Sequence, residues 1–232
     1  MTQESQGSRG SVRRTLEIEV QELRNELLYM SSQVENQILG AVEALKRQDG
    51  PAAERIIITD KEINQKRYEV EEKVMIVIAT QQPMAHDLRM LASILEIAGE
   101  LERMGDYAKG IATICLRSKE EPLLKPLIDI PRMAQKGTDM LHRALTAFVN
   151  EDVDVAQKIP TEDDEVDDLY DQIYRELMVL IIQDPKSIQR ASLLLWVAHN
   201  LERVADRVTN ICERTIFCVT GEMKEIETEN FR

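Results

Sequence analysis

At 232 residues the chain is long enough for one large domain or two small ones with a full-sized core. Aromatic residues make up only 4%, Gly and Pro number 9 and 7, and 31% of residues are charged, a composition that suits long helices and argues against a sandwich or barrel. A net charge of -13 would repel a phosphate backbone, which sets nucleic-acid binding aside.

The N-terminal stretch MTQESQGSRGSVRR is polar and lacks the apolar segment of a signal peptide. From Leu16 onward, Val20, Leu23, Leu27, Met30, Val34, Ile38, Ala41 and Leu45 recur at spacings of three and four, which predicts one long amphipathic helix. Gly50 and Pro51 in QDGP (48–51) break it. A second helix is expected from about Ala52 to Thr80, with Ile56, Ile63, Val70, Val74 and Val77 inward, ended by QQP at 81–83. A third runs from about Met84 to Arg117, and SKEEPLLKPLIDIP (118–131), with three prolines, reads as a linker. The longest apolar runs, 74–79 and 177–182, are too short to span a bilayer, so no membrane insertion is expected. Cys115, Cys212 and Cys218 are odd in number and form no CxxC pair, which fits a reduced, cytoplasmic setting.

The second half repeats the first. Met30, Ala41, Leu45, Asp49, Glu62 and Met75 recur 103 positions later as Met133, Ala144, Phe148, Asp152, Glu165 and Met178. Past the second turn of each half the offset becomes 100, so Ile94, Ala98, Leu101, Gly105, Ala108, Ala112 and Cys115 map onto Leu194, Ala198, Leu201, Ala205, Val208, Cys212 and Thr215. A period near 100 is too long for a solenoid. The expected fold is all-α: six helices as two tandem three-helix bundles, 12–117 and 132–219, joined by the linker 118–131.

Within that repeat, LERMGD (101–106) and LERVAD (201–206) set acids four residues apart, Glu102 with Asp106 and Glu202 with Asp206. Like charges at that helical spacing cost about 0.2–0.5 kcal/mol. Each acid falls one residue beyond the core stripe, at its edge. In an antiparallel hairpin, residues equidistant from the turn lie side by side. Counting from the turn at 82–83 places Asp60 and Asn64 opposite Asp106 and Glu102; counting from 184–185 places Asp163 and Asp167 opposite Asp206 and Glu202. Two clusters of four oxygen-bearing side chains are therefore expected, and a hard cation would neutralise them. His199, one turn before Glu202, could join the second cluster or be simply solvated or hydrogen-bonded. The plain alternative is a solvated face with Arg103 or Arg203 paired to the aspartate three residues on.

The duplicated three-helix bundle with Glu-x-x-x-Asp in LERMGD and LERVAD resembles the PhoU family of phosphate-signalling regulators, from about Val12 to Cys218. The resemblance implies a cytoplasmic negative regulator rather than an enzyme, a homodimer that links a phosphate ABC transporter to a sensor histidine kinase. It also implies metal ions on the acidic motifs (iron, manganese, magnesium or zinc), which points to Glu102, Asp106, Glu202 and Asp206, with Asp60, Asn64, Asp163 and Asp167 facing them. Asn64 gives the first cluster one charge less than the second and predicts weaker metal binding there.

The rival readings are a carboxylate-bridged di-metal enzyme and a metal-free helical adaptor. Di-metal bundles typically use two Glu-x-x-His motifs, whereas this chain offers only Asp139-x-x-His142, once. No P-loop, GxSxG or Cys–His–Asn set is present.

Overall fold

Helices of this length bury little by themselves and are held by the stripes they pack together. In the computed structural model, which describes residues 4–118 and 121–226 with side chains from residue 13 onward, the first stripe lies on α1 (Glu4–Arg47). α2 (Gly50–Gln81) and α3 (His86–Ser118) pack against it to close the first bundle. The second bundle is α4 (Asp129–Asn150), a short α5 (Val153–Lys158), α6 (Asp163–Gln183) and α7 (Ile188–Thr220). α5 and α6 are one helical rod interrupted by a 3-10 turn, so the chain makes six rods in two repeats, as expected. Residues 119 and 120 of the linker and the first three residues of the polar N-terminus lie outside the described residues.

The two stripes that map onto each other are both core. Ile94, Ala98, Leu101, Gly105, Ala108, Ala112 and Cys115 are buried on α3, and so are Leu194, Ala198, Leu201, Ala205, Val208, Cys212 and Thr215 on α7. α3 and α7 also pack on each other, with α1 against α4, so the repeats share one core. Glu100 of α3 crosses that seam to Arg207 (3.5 Å) and Asn210 (3.3 Å) of α7. Cys115, Cys212 and Cys218 are buried. Burial pushes the Cys212 thiol up to about 12 and the Cys218 thiol up to about 11, which leaves both without thiolate reactivity.

The helix ends repeat as well. Gln48 and Glu151 adopt left-handed conformations (φ 54° and 55°), and the next residue caps the following helix. Asp49 accepts from the Ala52 N–H and Asp152 from the Val155 N–H, each at 3.0 Å.

Three features differ from the sequence reading. α3 begins at His86 rather than Met84, because the turn after α2 uses left-handed Gln82 and Ala85. α4 begins at Asp129, inside the stretch read as linker; Pro131 falls in its first turn, where the missing N–H has no helical partner to lose. The break between α5 and α6 falls at Ile159–Glu162, where Pro160 stands in the place of Ile57 of the continuous α2.

Candidate metal centre

Each acid pair lies where two antiparallel helices meet, at the margin between core and solvent. In the first repeat the seam is α2 against α3. Asp60 is buried, Asn64 and Glu102 are half-buried and Asp106 is exposed. The helices come close here: a Cβ on Gly105, between the two acids, would lie 3.3 Å from Ile63 Cδ1 and 3.7 Å from Asp60 Oδ1. The expected partners are therefore on one seam, with a cation from the chain among them. Lys109 Nζ donates to Asp60 Oδ2 at 2.7 Å and to Asp106 Oδ1 at 3.4 Å. Arg67 Nη1 lies 3.7 Å from Glu102 Oε2.

The charges read out this arrangement. Glu102 is held above the ordinary carboxyl range by burial and then by the Asp106 charge, with Arg67 opposing. Lys109 is raised, first by its hydrogen bond to Asp60. Two oxygens remain buried without a hydrogen-bond partner, Asp60 Oδ1 and Asn64 Oδ1.

The second seam, α6 against α7, repeats the frame with different neighbours. Asp163 opens α6 and is buried, Asp167 and Glu202 are half-buried, and Asp206 is exposed, like Asp106. Burial pushes the Asp163 carboxyl up to about 7, with Asp167, Asp206, Asp164 and Glu202 adding like charge in that order. Asp206 is raised too, by burial and then by Glu202 and Asp167, with Arg207 and Arg203 opposing. All four expected side chains thus act on one another. Asp163 Oδ1 is buried without a hydrogen-bond partner.

His199 is hydrogen-bonded within this cluster: its Nδ1 lies 2.7 Å from Glu202 Oε2, and its ring is tilted against Tyr170 at 6.4 Å. The arginine pairing of the solvated-face reading is not made. Arg103 donates to Glu100 at 2.8 Å and Arg203 lies over the Tyr107 ring at 4.9 Å. Lys109 and Arg67 were missed from sequence. The signal for Lys109 was its place three residues after Asp106, where a helical neighbour meets it.

Among the described residues, no three His, Cys, Asp or Glu side chains converge into a ready-made metal cage. The seams are open clusters. The donor set nevertheless fits a hard cation, since carboxylate and amide oxygens supply it and the buried oxygens of Asp60, Asn64 and Asp163 have no other hydrogen-bond partner.

A model of the PhoU domain matches residues 27–115 and again 130–215. This chain belongs to the PhoU family. It is 38% identical over 215 residues to the phosphate-specific transport system accessory protein PhoU homolog of Clostridium acetobutylicum, covering 92% of this chain and 98% of that one. Against the Escherichia coli K12 accessory protein PhoU it is 34% identical over 204 residues, with 88% and 85% covered. The crystal structure of PhoU from Pseudomonas aeruginosa is similar to it with a TM-score of 0.83 at 32% identity, over 89% of this chain and 99% of that chain. The phosphate transport system regulatory protein PhoU from Streptococcus pneumoniae gives the same TM-score and identity, with 90% and 99% covered. The two matched segments fall one within each three-helix repeat. As a PhoU-family member the chain is an accessory and regulatory protein of phosphate transport and not an enzyme, which removes the reading as a carboxylate-bridged di-metal enzyme. Among the described residues, no helix is long and apolar enough to cross a membrane.

Proposed function

We propose that this chain is a cytoplasmic negative regulator of phosphate uptake and of the phosphate-starvation response. It works as a homodimer between a phosphate ABC transporter and a sensor histidine kinase, with metal ions bound on its acidic seams. The regulatory part of this reading rests on the match of both repeats to the PhoU domain. Surfaces for protein partners are available at the two hairpin tips: Ile76 and Leu88 flank the first turn, Val179 and Ile188 stand at the equivalent places by the second, and all four are exposed. The metal part rests on the second seam, where Asp163 is buried among acids with an oxygen that no described residue satisfies.

In this role the protein supplies no reacting group. A bound cation would be held by Asp163, Asp167, Glu202 and Asp206, and would supply positive charge that ties α6 to α7. Binding to the folded state alone raises stability by RT ln(1 + [L]/Kd), about 2.7 kcal/mol at a hundredfold excess over Kd.

Deleting the gene in cells growing on ample phosphate should switch on phosphate-starvation genes, measured as transcript levels against wild type. Unchanged transcripts would remove the regulatory reading. A melting curve indifferent to chelator and to added metal would leave the metal-free adaptor in place of the metal-binding one.

A further inference from the structure

The two seams share an acidic frame but differ in the residues placed against it. Lys109 of the first corresponds to Thr209 of the second, at the offset that relates Asp106 to Asp206. Arg67 corresponds to Tyr170, at the offset that relates Asp60 to Asp163. The Lys109 ammonium bonds Asp60 and Asp106 together across α2 and α3. The shorter, uncharged Thr209 leaves its Oγ1 buried and unpartnered. Asn64 in place of Asp167 lowers the negative charge of the first seam further.

From this we infer that Lys109 is a tethered counter-ion that competes with metal for the first seam, so that the chain loads metal at the second seam first. The inference rests on the metal-binding reading proposed above. A cation from solution and the ammonium need the same oxygens, Asp60 Oδ2 and Asp106 Oδ1. Three residues along the same helix as Asp106, the ammonium is held near them at a millimolar or higher effective concentration. Metal at the first seam must displace it, whereas metal at the second meets Asp163, Asp167, Glu202 and Asp206 with no lysine in the corresponding position. The exposed side of Lys109, 39% accessible, gives the displaced ammonium a path to water. The first seam is thus open to metal at a higher concentration.

The test is a titration of the full chain with Mn²⁺ alone, following free Mn²⁺ by its paramagnetic resonance signal. Wild type should show two classes of sites separated by at least about tenfold in affinity. D163N should abolish the tighter class and D60N the weaker one. K109M should bring the weaker class up toward the tighter, while K109R, which keeps the positive charge, should leave it weak. Should K109M fail to fold, T209K tests the same idea from the other side, because it installs the ammonium in the second seam and should weaken the tighter class. Two classes of equal affinity in wild type, or a gap that neither K109M nor T209K narrows, would overturn the role of Lys109 and leave metal binding intact. No uptake by wild type or K109M would overturn both readings together.

Discussion

The acidic seams are built on one frame and balance their charge in different ways. In the first, Lys109 and Arg67 stand against Asp60, Asp106 and Glu102, and much of the charge is matched inside the chain. In the second, Thr209 and Tyr170 replace them, and Asp163 is pushed up to about 7 by burial and then by the acids around it. Duplicated sites therefore need not be duplicate in function. On the proposed reading, a carboxylate cluster that already holds an ammonium is complete on folding, and one that does not would be completed by a cation from solution.

The largest effect that sharpens this comparison is at Asp163. Its folded pKa lies above the unfolded value near 4, so its contribution is full below about pH 4 and is lost as pH rises through about 7. Metal-free wild type should lose stability over that window, and Asp163→Asn should remove the loss, with a gain on the order of 2–4 kcal/mol near pH 8. Urea melts at pH 5 and 8 measure it, and a variant no more stable than wild type at pH 8 would put the two seams on the same footing.

Asp60→Asn should act in the opposite direction. It breaks the buried end of the Lys109 pair, and because Lys109 can swing into water the loss should be about 1–3 kcal/mol. Equal signs for the Asp60 and Asp163 substitutions in metal-free protein would break the contrast.

A smaller effect belongs to Glu151, which ties α1 and α3 to the second repeat through Arg24 and His86, the latter at 2.9 Å. Burial alone would raise this carboxyl, but Arg24 and then His86 carry it below the ordinary range. Its stabilisation is present above the unfolded pKa and is lost as pH falls through the lowered one. Glu151→Gln should cost about 1 kcal/mol at neutral pH and much less in acid, with no bearing on either seam. A chelator-dependent effect at Glu151 would show that the comparison reaches beyond the seams.

The helical architecture was legible because burial leaves a period in the sequence: Leu101, Ala108 and Cys115 on one face, then Leu201, Val208 and Thr215. The seam acids were legible because a hairpin equates distances from its turn, which put Asp60 beside Asp106 without any contact being known. Lys109 was not legible in the same way. A lysine three residues from an aspartate on a charged helix has many places to go, and the sequence does not show that the buried Asp60 brings it across the seam. Pro160 was in plain view, but a repeat read by its matches hides the residue that does not match.

That proline gives the second repeat a property the first lacks. α2 runs through Asp60 as an unbroken rod of 32 residues, whereas its counterpart stops at Lys158, turns through Ile159–Glu162 and starts again at Asp163. Mechanically, a continuous rod spreads a bend along its whole length, and a 3-10 link concentrates it in a few residues. The open seam begins at that joint. Drawing its oxygens onto an ion would stiffen the joint and set the angle at which α5 meets α6, giving the chain an articulated element on one side and a rigid strut on the other.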